Sequence, residues 1–280
     1  KKKNISDLIF TDLKKFTFNY FFITNPTSLH RKTLMRVIGF NKPIFIEKPF
    51  CNKKLSKKDI NLFLKKYIYV GYMLRYDKRI QKLKKIISRD VNYSKIIWQT
   101  YMPNWHPGEN FKKSYASKKE LGGGVVYTCS HEIDLAIYLF GHVKKVSSFR
   151  IKNRVKMNVE DRIQIILEHY NGQISEIYLD FTNQIKSRKI KVYLGEKILE
   201  WDFFKKYILE YKQKKVKRIY CKYKNLDQTY LSQNIDFLKN KKNNNRISFK
   251  NTLDTQLTIE AIMKSLISKK AVEINEYHRK

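Results

Sequence analysis

Gly122-Gly123-Gly124-Val125-Val126-Tyr127-Thr128-Cys129-Ser130-His131-Glu132-Ile133-Asp134-Leu135 is the stretch whose reading decides the fold. A glycine turn opens a helix, and Tyr127, His131, Asp134 and Tyr138 fall along one face of it because they stand four, three and four residues apart. Val125, Val126, Cys129, Ile133, Ala136, Ile137 and Phe140 cover much of the remainder, and Gly141 stands where a residue just past a helix end belongs. Such a helix either carries an ionisable pair into an active site or buries a His and an Asp that satisfy each other.

Upstream, a second motif favours the active site. Residues 18 to 23 read as a strand, Thr24-Asn25-Pro26-Thr27-Ser28 leads into a helix carrying Leu29, Leu34, Val37 and Ile38 up to Gly39, and Pro43-Ile44-Phe45-Ile46 reads as the next strand. Strand, helix and strand make a βαβ unit of ~30 residues. Glu47-Lys48-Pro49 then falls at the C-terminal end of that strand, which is where open parallel sheets bind ligands. Downstream, Asn171-Gly172 between apolar runs is a hairpin signal. Strands also flank Gly195-Glu196-Lys197, at Ile190-Val192-Leu194 and Ile198-Leu199-Glu200-Trp201, and a last helix from about residue 252 carries Leu253, Leu257, Ile262 and Leu266. The lysine and asparagine clusters between Asp202 and Arg246 predict exposed turns and a mobile insertion.

Taken in order, Asn25-Pro26-Thr27 with His30, then Glu47-Lys48-Pro49, then Gly71-Tyr72-Met73-Leu74-Arg75-Tyr76, then the glycine triplet with His131 and Asp134, resemble the Gfo/Idh/MocA oxidoreductases. The resemblance runs from about residue 18 to Ile274. It implies an α/β fold class: a partial Rossmann-type doubly wound domain over residues 1–90, then an α+β domain with a mostly antiparallel open sheet over residues 91–280. The free face of such a sheet commonly pairs with another subunit, so a homo-oligomer is expected. No trio among the nine glycines, at 39, 71, 108, 122, 123, 124, 141, 172 and 195, has the Gly-x-Gly-x-x-Gly spacing of a dinucleotide fingerprint. The chain is therefore expected to lack a preceding βαβ unit and to enter the fold through a helix at Ile5 to Leu13.

What the resemblance implies for chemistry is an NAD or NADP cofactor and hydride transfer to or from a hydroxyl carbon of a sugar or nucleotide sugar, in cell-surface polysaccharide biosynthesis. Lys48 and His131 are the expected catalytic pair: an ammonium to stabilise the developing alkoxide and an imidazole to take the proton. Tyr127 or Asp134 would orient His131. Many family members carry an Asp a few residues before the His; here those positions are Tyr127 and Thr128. Asn25, Pro26, His30, Glu47 and Lys48 are the expected contacts to the nicotinamide half. Arg75, Tyr76, Trp105 and His106 are the expected substrate contacts, since aromatic faces suit sugar C–H surfaces and Arg suits a carboxylate or phosphate. Arg75 could instead pair with Glu47 or Asp77. The alternative function is a catalytically inactive remnant of the same fold acting as a structural or regulatory partner.

Composition bounds the remaining classes. With 280 residues, 42% of them hydrophobic, the chain can bury a substantial core. A net charge of +34 would suit a polyanion partner, but the lysines are spread along the whole chain and no zinc spacing, basic zipper or RNA-binding signature accompanies them, so no nucleic acid is expected. Cys51, Cys129 and Cys221 form neither a disulfide framework nor a metal knuckle, which leaves no metal expected and suits the cytoplasm. No apolar run reaches the ~18 residues of a membrane span, so no membrane association is expected either.

Overall fold

In the computed structural model, two sheets of unequal size share the chain, and the structure describes residues 17–87, 91–105, 108, 110–155, 157–239 and 246–274. The helix expected at residues 5 to 13 lies outside them, as does His106. The smaller sheet holds β1 (Phe21–Ile23), β2 (Ile44–Ile46) and β3 (Ile68–Val70), all parallel, with Phe21 opposite Ile44 and Ile44 opposite Ile68. Parallel strands need crossover helices, and these are α1 (Thr27–Val37) and α2 (Lys57–Leu64). Because helices cover both sides, β2 and β3 are apolar throughout and buried at every residue. A third helix, α3 (Lys78–Ile86), follows.

The larger sheet begins with β4 (Val91–Tyr101). A broken helical segment, α4 (Val125–Thr128) and α5 (Ser130–Phe140), comes next. Seven strands follow: β5 (Val143–Arg150), β6 (Arg162–His169), β7 (Ile174–Asp180), β8 (Thr182–Leu194), β9 (Lys197–Asp202), β10 (Tyr207–Lys212) and β11 (Lys215–Tyr220). With α6 (Leu226–Lys239), α7 (Phe249–Ser268) and β12 (Val272–Glu273), the nine-stranded order is β11-β10-β9-β8-β4-β7-β6-β5-β12. Only the β4–β7 pair is parallel. Ile163, Ile165, Leu167, Ile177, Leu179, Ile190, Val192 and Leu199 alternate into one face, the side that α5 and α7 close, and are fully buried. The opposite face carries Tyr93, Lys95, Glu176, Tyr178, Lys191 and Tyr193.

Between residues 202 and 239 the chain is not the run of exposed turns its lysines predict, and residues 240–245 of that stretch lie outside the described residues. Strands β10 and β11 extend the large sheet, and α6 buries Phe237 completely, against Tyr69 at 5.0 Å and Phe45 at 5.5 Å between ring centroids. Phe237, Ile247, Phe249 and Leu253 thereby join the core of the small sheet. Tertiary burial overrides local composition here.

The expected single helix at the glycine triplet is two helices. Cys129 takes φ −100° and ψ 29°, which breaks the ladder between α4 and α5. The glycines are there for closeness as well as for the turn. A Cβ on Gly122 would lie 2.9 Å from Thr27 Cβ, so the triplet rests directly on the start of α1. Gly124 has φ +107°, and a Cβ there would lie 2.3 Å from Glu160 Oε1. Glu160 uses that room to accept hydrogen bonds from Val125 N–H through its carbonyl (3.1 Å) and from Val126 N–H through its carboxyl (3.2 Å), satisfying the free donors at the start of α4.

Candidate active site

Ten of the eleven residues of α5 are buried, so every polar side chain on it must be satisfied or employed. Asp134 is satisfied. It receives Arg75 Nε at 2.9 Å, Arg75 Nη2 at 2.6 Å and Thr255 Oγ1 at 2.8 Å, and the other arm of the guanidinium donates to the carbonyls of Arg246 (2.8 Å) and Asn251 (2.9 Å). Arg75 is 3% exposed and pairs with neither Glu47 nor Asp77. It belongs to a buried joint between the sheets, not to a substrate pocket. Tyr76, expected beside it, donates its hydroxyl to Asp236 on α6.

His131 and Glu132 turn elsewhere. Together with Lys48, Trp105, Lys186 and Arg188 they line a cavity of about 290 Å³. The helix break explains how Lys48 is held. Glu132 N–H bonds Cys129 O at 3.2 Å, and the Thr128 carbonyl accepts Lys48 Nζ at 2.8 Å. His131 is buried edge-on to Tyr72 (5.8 Å between centroids), and its Nδ1 has no partner among the described residues. Burial first, then the Lys48 and Arg188 charges, hold its pKa well below 6.5, so the ring is neutral at neutral pH. Neither expected supporter reaches it. Asp134 is engaged by Arg75, and Tyr127 donates its hydroxyl to Asn52 O (3.3 Å) on the far side of the helix.

Lys48 also lines a second cavity, of about 310 Å³, with Asn25, Pro26, His30 and Glu47. The five residues expected around a nicotinamide are thus brought together. His30 spans the site: Nδ1 lies 2.9 Å from Pro49 O and Nε2 lies 2.8 Å from Asn25 O, tying the Asn-Pro turn to the Glu-Lys-Pro strand end. Asn25 Nδ2 donates to Thr33 (2.8 Å), while its buried Oδ1 has no partner among the described residues. Burial pushes the Glu47 carboxyl up, against the pull of Lys48.

Of the expected substrate contacts among the described residues (Arg75, Tyr76 and Trp105), Trp105 alone lines the first cavity, packed against Trp98 (5.3 Å) and Phe181 (5.6 Å). Sequence reasoning missed Glu132, Lys186, Arg188, Phe203, Phe204 and Tyr230, which also line it. Arg188 Nε donates to Glu132 Oε1 at 2.6 Å, and its guanidinium lies 5.0 Å from the Phe203 ring centroid. Fully buried Arg79 fixes the loop that carries Phe203 and Phe204. It pairs with Asp77 (2.6 Å), stacks on Tyr223 (3.7 Å) and donates to the carbonyls of Phe203 (3.1 Å) and Lys205. Among the described residues no group of His, Cys, Asp and Glu could hold a metal ion, and no helix is long and apolar enough to cross a membrane.

A parallel βαβ sheet with its strand ends turned toward a helix-borne histidine, backed by a large open sheet, defines a Rossmann-type domain joined to an α+β domain. Residues 82–199 match the family described as GFO/IDH/MocA C-terminal domain. Among solved structures, similar folds include an oxidoreductase from Agrobacterium radiobacter in complex with NAD+, L-tartaric acid and magnesium, at 15% identity and TM-score 0.77, covering 98% of this chain and 84% of that one. An aldose-aldose oxidoreductase from Caulobacter crescentus complexed with glycerol matches at 17% identity and TM-score 0.76, over 96% of this chain and 82% of that one. Levoglucosan dehydrogenase in complex with NADH and levoglucosan matches at 15% and 0.76, over 92% and 81%. At such identities the likeness establishes the fold. No curated protein matches the chain by sequence.

Proposed function

We propose that this protein is an NAD(P)-dependent oxidoreductase that moves a hydride between a nicotinamide and a hydroxyl carbon of a sugar or nucleotide sugar. The observation that carries it is the double placement of Lys48, on the wall of both cavities, with the Asn25–Glu47 group on one side and His131 on the other. The structural neighbours, which include a levoglucosan dehydrogenase with NADH and an aldose-aldose oxidoreductase, support the same reading.

The residues present fit the nicotinamide end of such a cofactor. Asn25 Oδ1 is a buried acceptor free to take an amide N–H, and the Asn25-Pro26 turn is pinned by His30. When bound, the cofactor supplies the two-electron hydride acceptor or donor. Neutral His131 takes the hydroxyl proton as the carbinol carbon becomes a carbonyl, and returns it in the reverse direction. Lys48 donates a hydrogen bond to the reacting oxygen and stabilises its negative charge in the transition state. Trp105 and Phe203 give the sugar ring apolar faces and exclude water. With all three cysteines free, a reducing cytoplasm suits the protein. The family resemblance of the sequence motifs supports a place in polysaccharide biosynthesis, and the tyrosine-bearing face of the large sheet supports a homo-oligomer.

The test is reduction of NAD+ and NADP+ by a panel of sugars, followed by nicotinamide absorbance. Turnover that Lys48→Ala lowers about 100-fold or more without loss of folding is the expected result. A folded chain that neither binds nor reduces either nucleotide would sink this function and favour the inactive remnant.

A further inference from the structure

On the basis of the hydride-transfer function above, we propose that the sugar ring bound in the His131 cavity carries an anionic group, a carboxylate or a phosphate ester, received by Lys186 and Arg188. Both residues belong to β8, where every second side chain points to the same side of the sheet. Ile190 and Val192 occupy that row and are fully buried in the core. The two positions ahead of them in the same row are Arg188 and Lys186, and both line the cavity with Lys48 and His131. Arg188 is largely buried, its side chain 12% exposed, and a guanidinium taken out of water is costly unless something negative meets it, while Lys186 lines the cavity from an exposed position.

The two faces of β8 differ in how their cations are met. On the open face, Lys189 reaches Asp202 at 3.4 Å and Lys191 reaches Glu200 at 3.3 Å. On the cavity side, Arg188 spends only Nε, on Glu132, and no described residue bonds its two terminal nitrogens. Lys186 meets no carboxylate among the described residues; its Nζ lies 5.7 Å from the Phe204 ring. Lys48 is bonded to a neutral carbonyl. The cavity therefore holds three cations against the single carboxylate of Glu132. Even with Glu132 ionised, a positive excess remains.

An Arg with its fork free, beside a lysine, matches the paired oxygens of a carboxylate or phosphate. A volume of about 290 Å³ is at the low end of ligand pockets, which run from ~300 to 1,000 Å³. It accommodates one sugar residue, so the charge that is read belongs to the ring and not to a distant diphosphate.

Calorimetric titration of the chain with a hexose, the matching hexuronate and the matching hexose 6-phosphate decides the matter, at about 0.15 M salt so that distant surface lysines are screened beyond ~8 Å. One of the two acids is expected to bind about tenfold more tightly than the hexose, equivalent to ~1.4 kcal/mol. Lys186→Gln and Arg188→Gln should each erase most of that preference, and Lys214→Gln, in the exposed β10–β11 turn, should leave it intact. Whichever acid wins identifies the group as carboxylate or phosphate. Equal binding of all three ligands, no binding of any, or a preference that survives Lys186→Gln would overturn the proposal. If Arg188→Gln fails to fold because Glu132 loses its partner, the double variant Arg188→Gln/Glu132→Gln takes its place. Because binding is read without turnover, failure of nicotinamide reduction with a charge preference intact counts only against the hydride-transfer function. Turnover with no charge preference counts only against the anion site.

Discussion

Two ion pairs leave α5 two residues apart and meet opposite ends. Asp134 is 0% exposed and holds Arg75 through two hydrogen bonds, with Thr255 and two backbone carbonyls completing the set. Glu132 holds Arg188 through a single bond, its second oxygen has no partner among the described residues, and both side chains line a cavity. The first is a closed network of the kind that fixes one packing of helix against helix. The second leaves donors over, and leftover donors beside a cavity mark a ligand site. Charge on a buried helix therefore has to be judged by what remains unbonded after packing.

Breaking the closed pair is expected to have the largest effect. Asp134→Ala leaves the Arg75 guanidinium buried without its counter-charge and should cost ~3–5 kcal/mol of unfolding free energy, read by urea denaturation. Loss of under about 1 kcal/mol, as for an exposed pair, would mean that the joint is not closed. At the open end, Lys48→Ala should lower kcat by about 10²-fold or more with the urea midpoint little changed. His131→Asn should lower kcat by about 10²–10⁴-fold and remove the acid limb of the pH profile. That limb lies well below pH 6.5, because burial and two neighbouring cations keep the ring neutral down to lower pH. A limb at or above 6.5 would contradict the geometry. Arg79→Lys loosens the 202–205 loop without touching substrate. It should raise KM several-fold, about 1 kcal/mol, with the His131 limb unmoved, since a positioning residue does not titrate for the site.

The smallest effect is on pH stability. Burial lowers the pKa of His131, of His30 and of His169, the last to about 4. Each is neutral when folded, so the unfolded chain takes up protons first as pH falls. The stability they contribute is complete above their ordinary value of 6.5 and is lost as pH drops from there through the lowered values. Thermal midpoints recorded from pH 7.5 to 4.5 should decline, and His131→Asn should flatten part of the decline.

Much of this architecture was legible in the chain. The run at 44–46 reads as a strand and is one, and Asn171-Gly172 places the β6–β7 hairpin where the structure has it, whereas the strand at 68–70 was not read from the sequence. The glycine triplet announced a helix start, although not the break at Cys129, which local pattern does not encode and which frees Thr128 O for Lys48. Lys186 and Arg188 were hidden by their background: among 59 Lys and Arg residues, two more in a strand carry no signal. The clue was their alternation with Ile190 and Val192, visible only once that row is known to face the core. Helix α6 was hidden for the same reason, since its neighbouring lysines and asparagines read as loop while Phe237 does the anchoring. Arg75 and Tyr76 were misplaced because adjacency to a strand end does not say which side of the turn faces the pocket.

The most direct measurement of the account is transfer of deuterium from the C–D hydroxyl carbon of an acidic sugar to oxidised nicotinamide, followed by mass spectrometry in the wild-type chain and in Lys48→Ala, both shown to be folded. Label appearing on the nicotinamide with the wild type, and falling about 100-fold with Lys48→Ala, is the predicted result. Label transferred equally by both, or by neither, would contradict a hydride-transfer centre at Lys48 and His131.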